Sequence, residues 1–91
     1  MSEDASSKLL VHRVAPNFPQ EAKRARIHGP VVLTVIVRKD GTVLVVHLLS
    51  GPKELAQAAV DAVRQWRYKP FVINGEPIEM ETRATLNFKL Q

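Results

Sequence analysis

The sequence predicts an α+β fold: a three-stranded antiparallel sheet, two helices packed on one of its faces, and a long C-terminal strand at its edge. Three observations predict it. Across residues 78–90 every even position is apolar or small (Ile78, Met80, Thr82, Ala84, Leu86, Phe88, Leu90), and the odd positions between them are Glu79, Glu81, Arg83, Thr85, Asn87 and Lys89. That period of two marks a strand with one buried face. Residues 31–37 and 43–49, rich in valine, leucine and isoleucine, flank the turn dipeptide Asp40-Gly41 and read as a hairpin. Leu55, Ala59, Ala62 and Trp66 step by four, three and four, which places them on one side of a helix.

Taken from the start, residues 1–8 combine Ser2, Ser6, Ser7, Glu3 and Asp4 with little to bury and are expected to form a disordered arm; a folded domain is expected over residues 9–91. Leu9-Leu10-Val11 reads as a short edge strand or a strap over the core. Ala15-Pro16-Asn17-Phe18-Pro19 changes the chain direction, and Pro19 suits the first position of a helix. That helix turns Ala22, Ala25 and Ile27 inward and Lys23, Arg24 and Arg26 outward. It stops at Gly29-Pro30.

In the hairpin, a two-residue loop at Asp40-Gly41 sets Val37 against Leu44, whereas a three-residue loop with a glycine bulge sets it against Val43; both registers are open on sequence grounds. The face carrying Val32, Thr34 and Ile36 is more apolar than a solvated face requires, so a cover is expected from the arm or from a second copy. Gly51-Pro52 opens the second helix, with Ala58 and Val63 flanking its apolar stripe, and the helix ends before Pro70. Residues 71–73 then turn at Asn74-Gly75 into the final strand. A right-handed crossover through the second helix puts the last strand antiparallel beside the first, in the order two, one, three. At a rise of roughly 3.3 Å per residue, an unbroken 78–90 strand would reach roughly 40 Å, outrun its sheet, and leave free backbone groups for a partner strand.

Composition narrows the function classes. The 91 residues suffice for one small domain, and no apolar run reaches the roughly 18 to 20 residues of a membrane-spanning helix. The start of the chain lacks the basic and apolar regions of a signal peptide. With no cysteine, thiolate chemistry is excluded, and the formal net charge of +4 favours anionic partners only weakly. His12, His28 and His47 are scattered without a second ligand at metal spacing, Ser50 lacks a nucleophile-elbow context, and each glycine ends an element instead of forming a phosphate loop. Glu79 and Glu81 share a strand face and are expected to pair with Arg83 or Lys89. The basic clusters Lys23, Arg24, Arg26 and Arg64, Arg67, Lys69 lack interleaved exposed aromatics, because Trp66, Phe71 and Phe88 are expected in the core and Tyr68 stands nearly alone. Neither an enzyme, nor a cofactor, nor a nucleic-acid partner is expected.

Across about residues 9–90 the chain resembles the C-terminal domain of the TonB energy transducer family. The residues that carry the resemblance are Pro16-Asn17-Phe18-Pro19 with Ala22, Gly29 before Val31, Asp40-Gly41-Thr42-Val43, Ser50-Gly51, Ala58-Ala59 with Ala62-Val63, Trp66-Arg67-Tyr68-Lys69-Pro70, Asn74-Gly75-Glu76-Pro77 and Asn87-Phe88-Lys89-Leu90. The resemblance implies a periplasmic domain of a Gram-negative bacterium that holds the TonB box of outer-membrane transporters and passes on force from a proton-driven inner-membrane motor. It also implies a membrane anchor and a Pro-rich spacer upstream, so the chain is expected to be a fragment of a longer, inner-membrane-anchored protein. By position, the family's peptide-pairing strand falls on Thr82, Arg83, Ala84, Thr85, Leu86, Asn87, Phe88, Lys89 and Leu90, and its second contact segment on Ala15, Pro16, Asn17, Phe18 and Pro19. Ala15 and Phe18 stand where better-known members carry glutamine and tyrosine, so contacts made by those polar groups do not carry over. A proline at Thr85 or Asn87 is expected to cripple peptide capture; sequence leaves open which of the two turns its N–H outward. The alternative reading is a recognition or homodimerisation module of a periplasmic sensor or peptidase.

Overall fold

A computed structural model describes residues 1–90. The elements in chain order are α1 (Glu3–Ser7), β1 (Leu10–His12), α2 (Gln20–Arg24), β2 (Gly29–Val37), β3 (Val43–Ser50), α3 (Lys53–Arg64), β4 (Arg67–Tyr68), β5 (Phe71–Ile73), β6 (Glu76–Ile78) and β7 (Met80–Phe88). The central sheet is antiparallel with order β3-β2-β7, which is the expected two-one-three arrangement. Two ribbons of two strands, β1-β4 and β5-β6, lie outside it.

The sheet buries one face along β2 and β7, whereas on β3 Leu48, opposite Leu33, stays 40% exposed. Val31, Leu33, Val35 and Val37 of β2 and Met80, Thr82, Ala84, Leu86 and Phe88 of β7 alternate into the core, where they meet Leu55, Ala59, Ala62 and Val63 of α3 and Ala22 of α2. At roughly 25 cal/mol per Å² of apolar area, this layer of β-branched and leucine side chains against α3 is the main source of stability. Trp66 closes the end of the core and donates its indole N–H to the Val14 carbonyl at 2.9 Å, and the Arg13 guanidinium lies 4.9 Å from its ring centre. Leu10 pairs with Tyr68, so the segment read as an edge strand or a strap is both.

The hairpin adopts the bulged register. Val37 stands opposite Val43, the Arg38 N–H bonds the Thr42 carbonyl at 2.7 Å, and Gly41 takes φ 90° in the three-residue loop. Glycine is required there on a second ground: an added Cβ would lie 1.9 Å from the Tyr68 carbonyl oxygen. Asn74 and Gly75 both have positive φ, 52° and 83°, the geometry of a type I′ turn, and close the β5-β6 ribbon.

Four expectations are corrected. Residues 1–8 are not a bare arm: Ser2 caps α1 through its side chain, and Ser6 is buried at 1% exposure. The first helix ends early, at Arg24, because Arg26 turns to φ 58°; Ala25 consequently faces solvent. Tyr68, read as nearly alone, is buried in the core. The terminal strand breaks at Glu79 and spans nine residues, all of them paired with the nine of β2, so no length of it outruns the sheet. Pairing of β6 with β5 ends at Ile78, and the backbone must reorient before it can join β2, a change that side-chain periodicity does not report.

Candidate functional site

What β7 leaves open is its side, not its end. In an antiparallel strand the N–H and C=O of one residue point the same way, and successive residues alternate. The Thr85 N–H donates to the Glu3 carboxylate at 2.6 Å, and the Glu81 carbonyl accepts from the Met1 amino group at 2.8 Å, both on the side away from β2. Parity then assigns Glu81, Arg83, Thr85 and Asn87 to the outer rim and Met80, Thr82, Ala84, Leu86 and Phe88 to the β2 ladder. Both Thr85 and Asn87 therefore direct their N–H groups outward.

Side chains divide in the same way. Thr82, Ala84, Leu86 and Phe88 are buried, and with their backbone groups in the β2 ladder they offer an incoming chain nothing to bind. Arg83 and Asn87 are exposed and Thr85 is half-buried, so these three, with Lys89 and Leu90 beyond the strand, can be read by a partner.

Part of the rim is already engaged. α1 straddles it: Ser6 Oγ lies 2.7 Å from Thr82 Oγ1, both groups being buried, while the Glu3 carboxylate accepts from the Thr85 N–H and, at 2.7 Å, from the Thr85 hydroxyl. Among the described residues nothing else pairs with Arg83 or Asn87 on that side.

The second contact segment is split by the fold. Phe18 packs edge-on against Phe88, with ring centres 5.4 Å apart at 87°, and joins Lys23, Arg26, Lys89 and Leu90 around a cleft of about 440 Å³ at the end of β7. Ala15, Pro16, Asn17 and Pro19 instead face α3, where with Gln57, Ala58, Asp61 and Gln65 they line a groove of about 380 Å³ that contains no β7 residue. Phe18 is thus the one member of that segment that reaches the strand. An apolar ring is what its position against Phe88 requires, so phenylalanine is well suited there.

Little chemistry accompanies this geometry. Among the described residues no group of three His, Cys, Asp or Glu side chains could hold a metal ion, and no helix is long and apolar enough to cross a membrane. The Asp40 carboxyl is held below its ordinary range, first by the hydrogen bond from the Thr42 hydroxyl, which stabilises the hairpin loop. Burial pushes the Tyr68 phenol up to about 12.

A family model described as "Gram-negative bacterial TonB protein C-terminal" matches residues 14–90. The chain belongs to the TonB C-terminal family. The protein TonB of Xanthomonas campestris is 35% identical, over 98% of this chain and 40% of its own length. The protein TonB of Vibrio cholerae is 29% identical, over 91% of this chain and 35% of its own. The chain therefore spans well under half the length of these relatives. A solution NMR structure of the Pseudomonas aeruginosa TonB C-terminal domain superposes with a TM-score of 0.74 at 21% identity, covering 100% of this chain and 94% of that one, and shares the fold.

Proposed function

We propose that this domain is the periplasmic, transporter-binding end of a TonB-like energy transducer, and that it holds the TonB box of an outer-membrane transporter as an added strand on the outer rim of β7. The observation that carries this reading is the row of outward backbone groups at Arg83, Thr85 and Asn87 on a strand whose inner side is fully paired. An extended peptide laid along such a rim gains main-chain hydrogen bonds at every second residue, and flanking side chains select among peptides. Arg83, Asn87 and Lys89 are placed for that selection.

The arrangement also suits force transmission. A pull directed along β7 loads the ladder to the guest strand in shear, so several hydrogen bonds must fail together, whereas a pull across it would peel them singly. On its other side β7 is tied to β2 along nine residues, which passes the load into the sheet. The inner-membrane motor would act through upstream sequence of the longer protein.

The test is a titration of the ¹⁵N-labelled domain with a synthetic TonB-box peptide, run in parallel on Asn87→Pro. Amide shifts concentrated on residues 83–90 of the unsubstituted domain, with at least about tenfold weaker binding by the variant, support strand addition. Equal affinity for the two proteins overturns it.

A further inference from the structure

Deepening the strand-addition reading, on which it rests, we propose that α1 is an internal occupant of the docking rim: the Glu3 carboxylate fills a receptor made by the Thr85 N–H and hydroxyl, and α1 and a guest strand exclude one another. The two carboxylate oxygens are divided between two donors, with Oε2 on the amide at 2.6 Å and Oε1 on the hydroxyl at 2.7 Å. Charge-assisted bonds of this length are the strong kind. Thr85 stands in the middle of the rim, between Arg83 and Asn87, so the donor that Glu3 occupies is one that a guest carbonyl would need. α1 is also anchored beneath the strand, where the Ser6 hydroxyl meets the buried Thr82 hydroxyl at 2.7 Å.

Five residues of helix are far too few to persist alone, since isolated helices shorter than roughly 12 residues are marginal in water. α1 therefore exists as a helix because it is docked, through the Ser2 cap, the Ser6–Thr82 contact and the Glu3 chelate. Such a segment has two states, docked and released, separated by little free energy. A guest that binds only the released state has its apparent affinity reduced by the docked fraction. The result is a rim that stays covered against unselective edge pairing and opens for a peptide able to outcompete Glu3.

Full chains carrying Glu3, Glu3→Ala or Glu3→Gln separate the alternatives, with amide hydrogen exchange and a synthetic TonB-box peptide as probes. Without peptide, the Thr85 amide of the unsubstituted chain should exchange more slowly than that of Asn87, and Glu3→Ala should remove the difference. With peptide, Glu3→Ala should bind about fivefold more tightly and Glu3→Gln by an intermediate factor, as expected for loss of a partly exposed charged hydrogen bond. Unprotected Thr85 in the unsubstituted chain overturns the proposal. So does equal peptide affinity across the three chains with shifts still centred on β7, an outcome that leaves strand addition standing. Absence of any peptide response at β7 in all three removes strand addition and the competitor together.

Discussion

Backbone parity along β7 is tested most sharply by moving one proline by one residue. Leu86 turns its N–H into the β2 ladder opposite Val31, and its side chain is 1% exposed. Leu86→Pro therefore leaves a buried β2 acceptor unpaired, at about 2 kcal/mol, and removes most of a buried leucine, at about 2 kcal/mol more. A loss near 4 kcal/mol is a large part of the roughly 5 to 14 kcal/mol available to a domain of this size. Asn87→Pro deletes an outward N–H that no group of the described chain accepts and confines Leu86 to the extended backbone it already has. Its cost should stay at or below about 1 kcal/mol. In thermal unfolding followed by circular dichroism, the first variant should melt at least roughly 20 °C lower and the second within about 8 °C of the unsubstituted domain. Similar losses for both, or the reverse order, would mean that the outward assignment of Thr85 and Asn87 is wrong.

Other consequences follow from the packing. Gly41→Ala places a Cβ against the Tyr68 carbonyl at a positive φ, and should lower stability by about 3 kcal/mol in urea unfolding. Trp66→Phe retains the ring but loses the donor to Val14; about 1 to 2 kcal/mol should disappear, and the Lys69 amide, which bonds the Leu9 carbonyl, should exchange faster as the strap loosens. Tyr68 should ionise near pH 12 by ultraviolet titration. Because its folded pKa lies above the unfolded value of 10.0, its contribution to stability is complete below pH 10 and should fall as pH rises from 10 to 12.

The sheet was legible because side-chain periodicity and turn chemistry both report local backbone geometry. The β-branched runs around Asp40-Gly41, the Asn74-Gly75 turn and the stripe from Leu55 to Val63 each fixed an element, and the two-one-three order followed from crossover handedness. Less legible was everything that depends on a distant partner. Ser6 is polar, yet it is buried because Thr82, 76 residues away, supplies a matching hydroxyl. Tyr68 carries a polar tip, yet its ring is enclosed where β1 meets β4. The break at Glu79 is invisible to periodicity because Ile78 and Met80 keep the alternation through it. Of the candidate strand residues, Arg83, Thr85 and Asn87 direct their backbone groups to the outer rim, Thr82, Ala84, Leu86 and Phe88 turn theirs to β2, and Lys89 and Leu90 lie beyond the strand. The segment before the first helix divided, with Phe18 going to β7 and Ala15, Pro16, Asn17 and Pro19 to α3.

Strand addition on β7 is tested most directly by interstrand nuclear Overhauser contacts between the labelled domain and an unlabelled TonB-box peptide. The expected pattern is a ladder of peptide backbone protons against the amide and α protons of Arg83, Thr85 and Asn87, with the β2–β7 contacts unchanged. Peptide contacts confined to the α3 groove beside Ala15 and Asn17, with that rim undisturbed, would contradict it.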